Sequence, residues 1–175
     1  MENVLASRYA SAPMVDLWST TGKIMLERQL WIAVMAAQKE VGLDISDQTL
    51  ADYQAVVEQV DLASIRKREE VTRHDVKARI EEFCALAGHE QIHKGMTSRD
   101  LTENVEQLQV RRGLEIILDR VVAALARLGA LAAEHRDQTM VGRTHNVPAQ
   151  ATTLGKRFAT VAEELLLAHQ HLTDV

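Results

Sequence analysis

An all-α fold is what this sequence predicts, and three observations predict it. Aromatic residues make up only 3% of the chain and there are two prolines. Alanine, leucine, glutamate and glutamine abound instead, which favours helix over sheet. Apolar residues recur at alternating steps of four and three along Val110, Leu114, Ile117, Val121, Ala124, Leu128 and Leu131. The same rhythm runs through Leu154, Phe158, Val161, Leu165, Ala168 and Leu172. Such spacing is how helices pack at shallow angles in a bundle or coiled coil. Finally, glycines and hydroxyl–acid pairs stand where helices should stop and start.

Taken in order, Met1 to about Pro13 shows no periodicity and reads as an arm carrying Arg8 and Tyr9. A helix follows, with Leu26, Leu30, Ala33, Val34, Ala37 and Val41 on one stripe and Gly42 ending it. Ser46 to about Val60 predicts a short helix capped by Ser46 or Asp47. Thr72 to Ala87 predicts another, stopped by Gly88, since glycine enters the left-handed C-cap freely. From about Ser98 to Asp137 the pattern predicts a helix of ~40 residues, ~60 Å long at 1.5 Å per residue. Such a rod needs partner helices that this chain does not fully provide. Thr152-Thr153 then opens the last helix. The organisation expected is an N-terminal helical domain over 1–100, then the first long helices of a central bundle over 101–175. Leu172-Thr173-Asp174-Val175 ends in mid-rhythm with no stop signal, so the sequence reads as part of a longer chain.

Bulk properties narrow the function. A chain of 175 residues hides roughly 70% of its extended surface on folding, enough for a core. Its net charge of −5 argues against a general binder of nucleic acid or anionic membranes. An anionic substrate must therefore be met by local donors. The lone Cys84 excludes a disulfide framework. No apolar run approaches the ~20 residues that span a bilayer, and Met1-Glu2-Asn3 does not open a signal peptide. A cytoplasmic, soluble protein is expected.

Chemistry concentrates at three helix starts. Thr72-Arg73-His74-Asp75 and Thr97-Ser98-Arg99-Asp100 both have the form of a capping box, and Thr152-Thr153 is the third start. Each frees backbone N–H groups at the positive end of a helix dipole, which favours anions. As plain caps they need no further role. Their company distinguishes them: His74 lies in one first turn, His145 just before another start, and Lys94 and Arg143 nearby.

The run Val141–Lys156 interrupts two heptad-patterned helices with Gly142, His145, Pro148 and a hydroxyl pair, and packing gains nothing from it. Histidine titrates nearest neutrality and suits proton transfer to a leaving group, which makes His145 the first candidate for catalysis and His74 the second. His135, His169 and His171 fall on charged helix faces. His89-Glu90-Gln91-Ile92-His93 matches a zinc motif in form, but that motif needs a continuous helix. Gly88 and Gly95 bracket it here, and no third ligand is evident, so no metal is expected.

Four ordered segments carry a resemblance. They are Arg8-Tyr9; Arg73-His74-Asp75-Val76; His93-Lys94-Gly95-Met96-Thr97-Ser98-Arg99-Asp100; and Gly142-Arg143-Thr144-His145 with Thr152-Thr153-Leu154-Gly155-Lys156. Together they resemble the N-terminal part of the adenylosuccinate lyase family, in the fumarase/aspartase superfamily. The resemblance implies a fumarase/aspartase-like helical fold and a cofactor-free β-elimination. Adenylosuccinate would split into AMP and fumarate, and the succinylated carboxamide ribotide of purine synthesis would be cleaved likewise.

It also implies roles. Arg8 and Tyr9 contact the nucleotide; Arg73, His74 and Asp75 form a second substrate segment; Thr97 and Ser98 serve the succinyl carboxylates. His93 lies at the active site, and His145 is the general acid. The family's serine base lies beyond residue 175, so this chain alone should be inactive, and the full-length protein a homotetramer. Val147 and Ala151 depart from the family's usual glutamine and proline. The other reading is a non-catalytic helical oligomerisation or binding module that kept the lyase sequence.

Overall fold

In the computed structural model, which describes residues 3–174, helices hold 72% of the described residues. The order is α1 (Val4–Tyr9), α2 (Ala12–Trp18), α3 (Thr20–Glu40), α4 (Asp47–Ala55), α5 (Leu62–Thr72), α6 (Asp75–Ala87), α7 (Ser98–Glu134), β1 (Thr139–Thr144), β2 (Val147–Thr153) and α8 (Leu154–Thr173). The fold is all-α, with one two-stranded antiparallel hairpin. Two compact units divide it, at 1–112 and 113–175.

Several boundaries differ from the sequence reading. The supposed arm is two short helices: the Asn3 side chain accepts from the Leu5 and Ala6 N–H groups to start α1, and Pro13 stands in the first turn of α2. Helix α5 was not anticipated. Its sequence is dominated by charge and only Ile65 is buried, so it shows no broad apolar stripe. The chain reads it as helix because Asp61 caps it, accepting from Ala63 and Ser64 N–H. Thr72 thereby closes α5 rather than opening α6, and the expected capping box there does not form. Arg73 takes the left-handed C-cap and His74 itself caps α6. Helix α4 is shorter than expected, and α7 stops at Glu134.

The core of the first unit gathers Trp31 and Met35 of α3, Tyr53 of α4, Val76 and Phe83 of α6, and Leu101 of α7. Buried charge runs through it. Arg28 and Glu82, 0% and 1% exposed, pair at 2.5 Å. Arg28 also donates to the carbonyls of Val56 and Val57 at 2.9 and 3.0 Å and lies 4.5 Å over the Phe83 ring. Glu82 in turn accepts from the Asp61 N–H at 3.0 Å. One ion pair thus ties α3 to α6 and satisfies the turn between α4 and α5, as buried polar groups require.

In the second unit, the hairpin joins the end of α7 to α8. The Leu154 and Gly155 N–H groups donate to the carbonyls of Gln138 and His135. A Cβ at Gly155 would lie 2.5 Å from the Ala132 carbonyl and 2.6 Å from Arg136 Cα. Only glycine lets the start of α8 come this close to the last turn of α7.

Candidate active site

In the first unit, two of the sequence-selected segments meet. Arg73 and His74 lie between α5 and α6, with Asp75 opening α6; the turn before α7 carries His93 and Thr97, and Ser98 opens α7. His74 Nε2 and Ser98 Oγ stand 3.5 Å apart, bridging 24 residues. The second capping box forms as expected: Asp100 Oδ2 accepts from the Thr97 N–H at 2.7 Å and from its hydroxyl at 3.0 Å. These bonds, the backbone one first, hold the Asp100 carboxyl below the usual range.

Each histidine of this site is oriented by its other nitrogen. Lys77 N–H donates to His74 Nδ1 at 3.3 Å, so Nε2 is the nitrogen turned toward Ser98. Trp31 Nε1–H donates to His93 Nδ1 at 3.0 Å, with the two rings edge to face at 5.9 Å. Sequence reasoning passed over Trp31. Its signal was that an indole N–H inside a helical core must find an acceptor. His89, the other histidine of the zinc-like motif, pairs with Asp52 at 2.7 Å instead. Non-helical turns hold both imidazoles, and their partners are different.

Burial pushes the His93 imidazole below its ordinary value; nearby Asp100 opposes this and His74 adds to it. The unfolded chain therefore takes up this proton at higher pH than the native one. Stability contributed by neutral His93 is present above the ordinary value of 6.5 and lost as pH falls below it. Urea unfolding between about pH 7 and about pH 5.5 should show this loss in the native sequence and a smaller one in His93→Asn. Asparagine tolerates the left-handed backbone and keeps an acceptor for Trp31. Equal slopes would contradict the assignment.

Arg8 and Tyr9 end α1, where Tyr9 is 76% exposed. Among the described residues no hydrogen bond or ion pair joins either side chain to the His74–Ser98 pair.

The second unit holds His145 at the tip of the β1–β2 hairpin. The sequence reading identifies this run only as an interruption between two helices. Thr144 pairs with Val147, leaving His145 and Asn146 as a two-residue turn with φ of +47° and +63°. Positive φ at both central positions is what a type I′ hairpin turn requires. Pro148 is tolerated because a two-stranded ribbon has only edges, and the register shift at Gly142/Arg143 bends the ribbon. Arg143 folds back to donate to the Asn146 carbonyl at 3.0 Å. Thr153, as expected, caps α8 by accepting from Lys156 N–H. Beside the hairpin runs a groove of about 640 Å³ lined by Arg143, Thr144, Thr152, Lys156 and Arg157 among others. Leu154, Phe158 and Val161 line it as well.

Arg73, His93 and His145 share one feature: each is a non-glycine residue with positive φ, at +53°, +65° and +47°. Such residues cost about 1–3 kcal/mol each and cluster where function over-determines the backbone.

Comparison with known proteins bears on these features. A family model described as lyase matches residues 13–175. The adenylosuccinate lyase of Schistosoma mansoni is 36% identical over 172 residues, covering 97% of this chain and 36% of that protein. That of Saccharomyces cerevisiae is 37% identical over 169 residues, covering 93% and 35%. The chain thus spans little more than a third of the length of these relatives. The crystal structure of a fumarate lyase from Mesorhizobium sp. BNC1 superposes with a TM-score of 0.81 at 27% identity, over 94% of this chain and 40% of that one. A 3-carboxy-cis,cis-muconate lactonizing enzyme from Pseudomonas putida gives 0.85 at 21% identity, covering 99% and 41%, a likeness of fold alone.

Proposed function

Because this chain belongs to the lyase family, we propose that it is the front part of an adenylosuccinate lyase. The reaction is a β-elimination that releases fumarate, from adenylosuccinate to give AMP and from the succinylated carboxamide ribotide of the same synthesis. The observation that carries this reading is the meeting of the Arg73-His74-Asp75 and Thr97-Ser98 segments at the starts of α6 and α7, within the span that matches the lyase family.

Removal of the Cβ proton drives charge onto a carboxylate, and preorganised N–H and O–H donors lower that barrier. Thr97 and Ser98 supply hydroxyls at the start of α7, where the helix dipole also favours an anion. His74 and His93 line the same place. His145, on a turn that presents its imidazole, protonates the departing nitrogen. Arg8 and Tyr9 take the nucleotide. Neither a metal nor a cofactor enters these steps. Within the chain no residue is assigned the role of base, so the 175 residues alone should not turn over. The full-length protein should act as a cytoplasmic homotetramer.

The test is direct. Full-length protein should release fumarate from adenylosuccinate, and the 175-residue chain should not. Turnover by the short chain, or none by the long one, would refute the proposal.

A further inference from the structure

Arg79 of α6 and Glu27 of α3 extend a charged chain from Asp75, and the reaction above uses neither of them. Glu27 of α3 is 0% exposed. Its Oε2 pairs with Arg79 Nε at 2.7 Å, and Arg79 Nη2 reaches Asp75 Oδ2 at 2.9 Å. Asp75 Oδ1 then stands 3.6 Å from His74 Nδ1, beyond hydrogen-bond reach. Nδ1 instead accepts from the Lys77 N–H.

A carboxylate beside Nδ1 has two choices. Unrestrained, it would accept a hydrogen bond from Nδ1–H, and the neutral ring would carry its hydrogen there. Held back, it leaves Nδ1 to accept from the helix backbone, and the hydrogen moves to Nε2. Arg79 is placed to do the holding, four residues along the helix from Asp75. Glu27 anchors Arg79 from inside the core. Burial pushes the Glu27 carboxyl up, and Arg79 and then Lys23 pull against that. Asp75 lies below the usual range: burial raises it, and the Val76 N–H and Arg79 more than offset this.

We infer that Arg79, anchored by Glu27, is a positioning residue that restrains Asp75 and so keeps His74 as the Nε2–H tautomer. His74 then faces Ser98 and the space beside it as a hydrogen-bond donor rather than a base. That consequence for catalysis rests on the function proposed above; the tautomer itself does not. A donor at this position matches a substrate carboxylate, and it leaves the task of proton abstraction to another group.

Imidazole nitrogen NMR of the 175-residue chain reads the tautomer without substrate. The native chain should show His74 mainly as Nε2–H. Arg79→Met should lower the ratio of Nε2–H to Nδ1–H on the order of tenfold, the scale expected when a charged acceptor reaches Nδ1. Arg79→Lys should lower it less, and adding Asp75→Ala to Arg79→Met should restore it. A merely structural role for Arg79 would not give that restoration. A native ratio in any folded Arg79 variant overturns the inference, as does a native protein already in the Nδ1–H form. Should Arg79→Met not fold, the Arg79→Lys ratio decides in the same way. Failure of the full-length protein to cleave adenylosuccinate, with the ratio shifting as stated, would refute the function and leave the positioning intact.

Discussion

Alanine in place of His145 should lower kcat of the full-length protein about 10²–10⁴-fold, the usual contribution of a positioned general acid. KM for adenylosuccinate should change far less, because on the proposed mechanism the proton reaches the departing nitrogen only as the bond breaks. The turn places the imidazole for this role. His145 has φ of +47°, a conformation that disfavours most side chains, and no hydrogen bond ties its imidazole to another described residue. A residue placed there for packing or capping would show a contact. His145→Gly separates backbone from chemistry, since glycine enters the left-handed region without strain. It should fold at least as stably as the native protein and be as inactive as the alanine variant. A kcat within tenfold of native for either variant would remove His145 from the mechanism.

The largest effect on stability should come from Arg28→Met. It leaves Glu82, 1% exposed, as a buried carboxylate without its cation. Removing one partner of such a pair costs about 3–5 kcal/mol. Here the Val56 and Val57 carbonyls lose their donor as well. Combining Arg28→Met with Glu82→Leu should recover much of that loss, since an apolar pair of similar volume is often neutral or better. The recovery should be incomplete, because the Asp61 N–H still loses its Glu82 acceptor. Urea unfolding of the two variants checks both points. A single variant within about 1 kcal/mol of native would show that the pair is not needed.

Much of the fold was legible. Heptad spacing predicted the long α7 and α8, and the Thr97–Asp100 box and Gly88 marked helix ends where they occur, because caps and stripes are local in sequence. Helix α5 was not legible. Most of its side chains face solvent, and its start is set by a single Asp61 rather than by a stripe.

The candidate site divides the same way. Residue type and spacing drew attention to His74, His145 and the helix starts beside them, whereas Arg8, Tyr9, Arg73, Asp75, His93, Thr97 and Ser98 received roles only through the family resemblance. The sequence could not say that Thr72 would close one helix and leave His74 to cap the next, since two overlapping caps compete there and packing chooses between them. Nor could it show that residues 139–153 form a hairpin: strand pairing depends on register across the turn, and the run has no strict alternation. What only the tertiary structure decided is which way each ring nitrogen points. Trp31 lies 62 residues from His93, and Glu27 lies 52 residues from Arg79. Side chains that far apart in sequence meet only once α3 packs against α6 and the turn that follows it, and there the Trp31 N–H occupies His93 Nδ1 while Glu27 pairs with Arg79.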